Sequence, residues 1–595
     1  MYILNSKKFQ NGSSMLEYIK SPADVKTLDI NSLEQLAAEM RAAIIQKLSK
    51  RGGHLAPNLG FVEATIALHY VFESPKDKIV YDVSHQSYSH KMLTGRAQAF
   101  LDADHYGDVT GYTEPIESEH DHFMVGHTST SVSLALGLAT ARDVLRESGN
   151  VIAVIGDGSL SGGEAFEGLD NAGEYATNFI VVVNDNEMSI AENHGGLYKS
   201  LAELRATAGK SENNYFKSLG FDYKYLEQGN DIASLIEMFK SVKDTTRPVV
   251  VHIHTQKGRG YPYAENNREG WHWAAPFNAE TGVINWGNGE SYGEILGLYL
   301  MAKIKSDPKV VVIHSAVPAG IGFHAARRKE AGKQFIDVGI AEEHAVALAS
   351  GLAKGGAKPI YSTHGTFLQR TYDQLSQDLC ANNNPATILV TMSGADGMND
   401  TTHLCIFDIP MLSNIPNLVY LCPTCVEEFK TMADWAIEQT EHPVAIRVPN
   451  AVHHRSDIFE KDYSNLNKFK VVHRGSRVAL IGLGDFYQRA AAVALELRRD
   501  GIDATLVNPR YASGVDKEML QELAKNHDVF VTLENGVVEG GFGQKVATAL
   551  AETNVKVLVR GLSKEFYDKV SFAELCEKNH LNPSQVAKDV VAALS

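Results

Sequence analysis

Apolar and polar positions divide the chain into runs of four to six β-branched or aliphatic residues, separated by longer stretches with helical spacing. The clearest case is the stretch 151–190, VIAVIGDGSLSGGEAFEGLDNAGEYATNFIVVVNDNEMSI. A run at 151–155 ends in Gly156-Asp157-Gly158, a helical pattern follows over 163–175, and a second run at 179–183 ends in Asn184-Asp185-Asn186. Neither run alternates, so both read as strands buried on two faces of a parallel sheet. The polar clusters then fall at the carboxyl ends of the strands, where open α/β sheets bind ligands.

The same alternation recurs in three blocks. The first, 1–285, holds that stretch and a strand at 79–81. The second, 286–455, reads as strands at 310–314, 335–340, 358–362 and 387–392 with helices between them. The third, 468–595, repeats the pattern at 477–481, 504–507 and 529–533. Residues 262–288, rich in Asn, Gly and Trp, show neither period and read as a crossover linker. The fold class is therefore α/β, with three domains, each a mostly parallel sheet with helices on both faces.

Composition narrows the function. The 595 residues carry a net charge of −16, which argues against nucleic acid or an anionic membrane as the main partner. Any phosphate site must be built locally. The first twenty residues lack a continuous apolar core and no stretch reaches the length of a membrane span, so a cytoplasmic chain is expected. Five cysteines, two of them in a lone Cys422-Pro-Thr-Cys425, make no disulfide framework. Gly482-Leu-Gly484 after a strand lacks the third glycine of a dinucleotide fingerprint.

At the strand ends of the first block, Asp157 offers a carboxylate and Asn186 an amide oxygen 29 positions later. Oxygen ligands beside a glycine-rich helix start suit Mg²⁺ bound to phosphates. A bare GDG would favour an unliganded turn, but its pairing with NDN at matching strand ends favours a metal–diphosphate site. Histidines sit in similar places: His54 after Arg51-Gly-Gly, His85 in Asp82-Val-Ser-His-Gln, and His127 in Gly126-His-Thr128-Ser-Thr-Ser before a small-residue helix at 132–141.

GDGSLSGGEAFEGLDNAG…VVVNDNEMSIAEN resembles the signature of thiamine diphosphate enzymes, and its wording resembles the 1-deoxy-D-xylulose-5-phosphate synthase family of the transketolase superfamily. The resemblance spans essentially the whole chain. It implies a diphosphate-binding, a pyrimidine-binding and a transketolase C-terminal domain, thiamine diphosphate and Mg²⁺ as cofactors, and a homodimer. It further implies decarboxylation of pyruvate and transfer of an acetaldehyde-equivalent carbanion to an aldehyde such as glyceraldehyde 3-phosphate. By this resemblance Asp157, Asn186 and the Met188 carbonyl hold Mg²⁺, while His85, Gly126, His127, Thr128, Gly158, Ser159 and Tyr261 contact the cofactor. Glu342, in FIDVGIAEEH, bonds the aminopyrimidine, with Phe367 and Arg370 of TFLQR beside it. His54, His85, His272 and His403 shuttle protons or hold oxygens, and Arg447, His364 and His403 face substrate.

Departures from the family wording occur at substrate positions. Met392 and Pro115 stand where arginines are usual, His364 replaces a tyrosine, and Asn399 replaces an aspartate. The segment between Leu197 and Phe221 is shorter than in the family. These departures leave open a transketolase-like or α-keto-acid carboligase with a different acceptor, and a non-catalytic regulatory paralogue.

Overall fold

The computed structural model describes residues 14–287, 289–397 and 400–595, which form two compact units dividing near residue 289, with Gly339–Ala341 grouped with the first. Asn399 lies outside the described residues.

The first unit is built on five parallel strands, β1 (Lys78–Tyr81), β2 (Val151–Gly156), β3 (Ile180–Asp185), β4 (Asp222–Leu226) and β5 (Val249–His254), in the order β1-β2-β3-β5-β4. Ile152 and Val154 of β2 enter one apolar cluster, and Val151, Ala153 and Ile155 enter another. This alternation shows that both sheet faces are covered, which is why the strand reads as continuously apolar. β3 extends beyond the expected 179–183 to Asp185, so only Asn186 begins the loop.

The second unit carries two sheets. Strands β6 (Val310–His314), β7 (Phe335–Asp337), β8 (Lys358–His364), β9 (Thr387–Thr391), β10 (Val419–Leu421) and β11 (Val444–Arg447) form an all-parallel sheet, ordered β10-β11-β9-β8-β6-β7. Strands β12 (Lys470–His473), β13 (Arg477–Gly482), β14 (Thr505–Asn508), β15 (His527–Val537) and β16 (Lys556–Leu562) form the other, ordered β12-β14-β13-β15-β16 with β12 antiparallel. One apolar cluster contains Ile388 and Tyr420 of the first of these sheets and Ile481 and Phe530 of the second, so the two share a core.

Three local expectations are corrected. β7 ends at Asp337 instead of residue 340, just before Gly339 turns the chain at φ +75°. β9 stops at Thr391, and Met392 adopts φ +55°. Residues 262–288 are no bare linker: they contain the helix Pro262–Asn266, and Trp271, Ala274 and Phe277 are buried in the first unit's core. Burying those aromatic surfaces outweighs the segment's lack of local period. Among the described residues, no helix is long and apolar enough to cross a membrane, and all five cysteines are buried thiols.

Candidate active site

In the first unit, parallel pairing of Gly156 with Asn184 sets the GDG and NDN ends side by side, and Asp157 N–H donates to the Asn184 carbonyl at 3.1 Å. Gly158–Ser161 forms a 3₁₀ turn before the helix Gly163–Glu174, so Gly158 and Ser159 lie at a helix entry. Asp157 is buried, and its Oδ2 accepts from Asn193 Nδ2 at 2.7 Å. Burial, then the charge of Asp185, pushes the Asp157 carboxyl well above the usual range. A divalent cation there would reverse that preference.

The turn beyond β3 is closed by side chains: Glu187 N–H donates to Asp185 Oδ1 (3.1 Å) and Met188 N–H to Asn186 Oδ1 (3.2 Å). Asn186 Oδ1 keeps a second lone pair for a metal. Ser189 Oγ and Asn193 Oδ1 are buried without a hydrogen-bond partner. One carboxylate, an amide oxygen and a carbonyl make a hard-oxygen set that fits Mg²⁺, and the orphaned oxygens fit a polar ligand. Lys257, also buried, donates from Nζ to the Ser189 carbonyl at 2.5 Å, and burial brings its pKa down to about 7.

Beside this turn the fold gathers three histidines. Asn58 Nδ2 donates to the carbonyls of both His54 (2.7 Å) and His85 (2.6 Å), which joins the two loops. The bridge between Gly53 and Ala274 brings in His272. The His54 ring lies 4.9 Å from His85 and 5.7 Å from His272, and His85 lies 5.2 Å from His272. Enclosure and the neighbouring Lys257, His85 and His54 hold the His272 pKa well below normal. Tyr112, which sequence reasoning missed, packs its ring 5.9 Å from His54. Among the described residues, no group of three or more His, Cys, Asp or Glu is arranged to hold a metal.

Gly126, His127 and Thr128 precede the helix Ser131–Val144, whose first turn is tied to β1 through Asp82, which accepts from Ser129 N–H (2.8 Å) and Ser131 N–H (2.9 Å). Tyr261 is placed differently from the others: its hydroxyl donates to the Ala279 carbonyl (3.0 Å) and its ring packs on Trp271.

In the second unit, Glu342 begins the helix Glu342–Lys354 with a side chain only 4 % exposed, and its Oε2 has no hydrogen-bond partner. Burial raises its pKa to about 7 against the opposing charge of Arg370. Phe367, in the short helix Gly365–Leu368, packs between His364 (5.6 Å) and His403 (5.8 Å). His364 Nδ1 meets Thr391 Oγ1 at 2.8 Å, and burial with nearby His314 and His403 drives its pKa down to about 3, so it is neutral. The sequence-predicted Arg447 ends β11, paired with Val390 of β9, which in turn pairs with Thr363 of β8 beside His364. Its Nε and Nη2 donate to Asp408 (2.7 and 3.2 Å) and Nη2 also to the Asn535 carbonyl (2.7 Å), within a buried cluster that includes Asp485. Met392 is 38 % exposed, and Pro115 is exposed on a loop of the first unit.

Family models match in chain order. Residues 16–214 match the model described as 1-deoxy-D-xylulose-5-phosphate synthase, 289–452 the transketolase pyrimidine-binding domain, and 467–586 the transketolase C-terminal domain. Curated proteins named 1-deoxy-D-xylulose-5-phosphate synthase align over nearly their full length. The protein from Caldanaerobacter subterraneus is 39 % identical, over 97 % of this chain and 99 % of its own. That from Symbiobacterium thermophilum is 38 % identical over 97 % and 95 %, and that from Clostridium acetobutylicum 35 % identical over 97 % and 99 %.

Proposed function

This chain belongs to the 1-deoxy-D-xylulose-5-phosphate synthase family, and from that membership we propose that it is a thiamine diphosphate- and Mg²⁺-dependent transferase. Its reaction is the decarboxylation of pyruvate and transfer of the two-carbon unit to an aldehyde such as glyceraldehyde 3-phosphate. The observation that carries this reading is Glu342, a buried carboxyl with one unpartnered oxygen and a pKa near 7. Such a group hydrogen-bonds a ring nitrogen without a fixed charge. Thiamine diphosphate, when bound, supplies a carbon nucleophile that stabilises charge at the decarboxylating centre.

The chain's own residues divide the remaining work. Asp157, Asn186 and the Met188 carbonyl hold Mg²⁺, while Gly158, Ser159, Gly126, His127, Thr128 and His85 bind the diphosphate. Phe367 supplies a stacking face, with Arg370 and Tyr261 as supports. His54, His85, His272 and His403 hold or move protons at the substrate oxygens, and His364 and Arg447 lie on the substrate side. A three-domain division at 1–285, 286–455 and 468–595, a homodimer and a cytoplasmic location complete the reading. The commitment of Arg447 to Asp408 favours a second reading of the acceptor, in which its distal group is held by residues other than this arginine.

Calorimetric titration of thiamine diphosphate tests the assignment. Binding is expected to require Mg²⁺ and to be lost in Asp157→Ala, and Glu342→Ala is expected to abolish turnover in a folded protein. Mg²⁺-independent binding or undiminished turnover would contradict it.

A further inference from the structure

The segment between Leu197 and Phe221 ties down the proposed metal turn. Its helix Gly196–Ala206 places Tyr198, Leu201 and Arg205 three to four residues apart, on one face. Leu201 and the adjacent Leu204 are fully buried in the cluster that holds Val151, Ala153 and Val181 of β2 and β3, which fixes that face against the sheet. Tyr198 OH lies 3.2 Å from the carbonyls of both Asp157 and Gly158. Two turns on, Arg205 Nη1 donates to Asp185 Oδ2 at 2.5 Å and Nη2 to Glu187 Oε2 at 3.5 Å.

Asp185 thereby performs two tasks. Its Oδ1 closes the ligand turn through Glu187 N–H, and its Oδ2 is held by Arg205 and by His252 Nε2 at 2.9 Å. His252 is oriented in turn by Tyr223 OH, 2.8 Å from Nδ1. Glu187 sits at φ +65°, a conformation a non-glycine residue keeps only when its surroundings impose it. His254 Nε2, at 3.1 Å from Glu187 Oε1, also holds it.

We propose that Arg205 and Tyr198 are positioning residues for the Mg²⁺–diphosphate site, and that helix Gly196–Ala206 is a fixed strap across the GDG and NDN strand ends. The inference rests on the cofactor assignment above and adds to it the residues that set its retention. Tyr198 acts through the Asp157 and Gly158 carbonyls, and Arg205 through Asp185 and Glu187. Mutation of residues that orient metal ligands typically costs about 10- to 100-fold in metal affinity or activity.

The test is calorimetry and stopped-flow release of thiamine diphosphate with Mg²⁺, using the full-length protein and its Arg205→Met, Arg205→Lys and Tyr198→Phe variants. Arg205→Met is expected to weaken affinity roughly 10- to 100-fold, mainly through faster release. Arg205→Lys is expected to recover most of the loss, and Tyr198→Phe to weaken binding about fivefold. At saturating cofactor, kcat is expected to stay within about threefold of wild type, a split that general destabilisation would not give. Folded Arg205→Met with wild-type affinity and release rate would overturn the inference. If Arg205→Met does not fold, unchanged affinity and release in Tyr198→Phe, which removes only a hydroxyl, would overturn it equally. Failure of the wild-type protein to bind the cofactor would overturn the functional reading and this inference together, whereas wild-type binding with unaltered variants would overturn this inference alone.

Discussion

Glu342 Oε2 lies 3.8 Å from Arg370 Nη1, beyond hydrogen-bond reach, in a side chain that is almost fully buried. The carboxyl therefore loses its hydration without gaining a strong partner, and its folded pKa rises from 4.5 to about 7. Between those values the folded state binds more protons than the unfolded state, so this group's contribution to stability falls as pH rises through the window. Roughly 3 kcal/mol is at stake at about 1.4 kcal/mol per pKa unit. Glu342→Gln is expected to stabilise the protein relative to wild type at pH 8, with little gain at pH 5. Thermal melts at the two pH values check this, and an equal difference at both would contradict it.

Arg447 and Asp408 form a buried pair at 2.7 Å with side chains 5 % and 1 % exposed, and Tyr420 OH donates to the same carboxylate at 2.5 Å. Breaking such a pair by removing one partner typically costs about 3–5 kcal/mol. Arg447→Met is therefore expected to lower stability by about that amount in chemical denaturation. An unchanged midpoint with a raised acceptor KM would assign Arg447 to substrate instead.

The GDG and GHTSTS loops touch directly. Ser129 Oγ donates to the Ser159 carbonyl at 2.8 Å, and a Cβ added at Gly162 would collide with that same hydroxyl oxygen. Gly162→Ala is expected to destabilise the protein by about 1–3 kcal/mol and to weaken cofactor binding. The double variant with Ser129→Gly removes the obstruction at a position with φ +74°, which suits glycine, and is expected to recover part of both. Denaturation and titration of the single and double variants decide this.

Asp121 organises the loop that carries Tyr112. It lies 2.8 Å from His90 Nε2, accepts two bonds from Arg96 at 2.8 Å each, and accepts from Glu114 N–H at 2.8 Å. His90 continues the chain to His69, 2.8 Å away. Burial disfavours ionisation of Asp121, but the Arg96 and His90 bonds override it and hold the carboxyl below the usual range. Asp121→Ala is expected to cost about 3–5 kcal/mol and to shift the His54 ring resonances by displacing Tyr112. NMR of the histidine side chains, with Asp121→Asn as the milder control, measures both effects.

Much of this was legible because β2 and β3 are buried on both faces and end abruptly in polar clusters, a pattern that local sequence alone imposes. The histidine loops and Glu342 were visible through motif wording. β4, which among the described residues pairs with β5 alone, was not, because its residues are mostly half-exposed and carry no apolar run. Trp271 and Phe277 looked like linker residues because their burial is a tertiary event. The partners of Arg447 come from Asp408, 39 residues earlier, and from Asn535, 88 residues later, separations that no periodicity reports. Arg205 and Tyr198 lie in a segment whose sequence signals only its shortness, because their partners Asp185 and Asp157 are 20 and 41 residues away.

The most direct measurement is product analysis by mass spectrometry after incubation with thiamine diphosphate, Mg²⁺ and pyruvate, with and without glyceraldehyde 3-phosphate. CO₂ release with formation of 1-deoxyxylulose 5-phosphate is the expected result. Absence of CO₂ release from pyruvate in folded, cofactor-loaded protein would contradict the assignment.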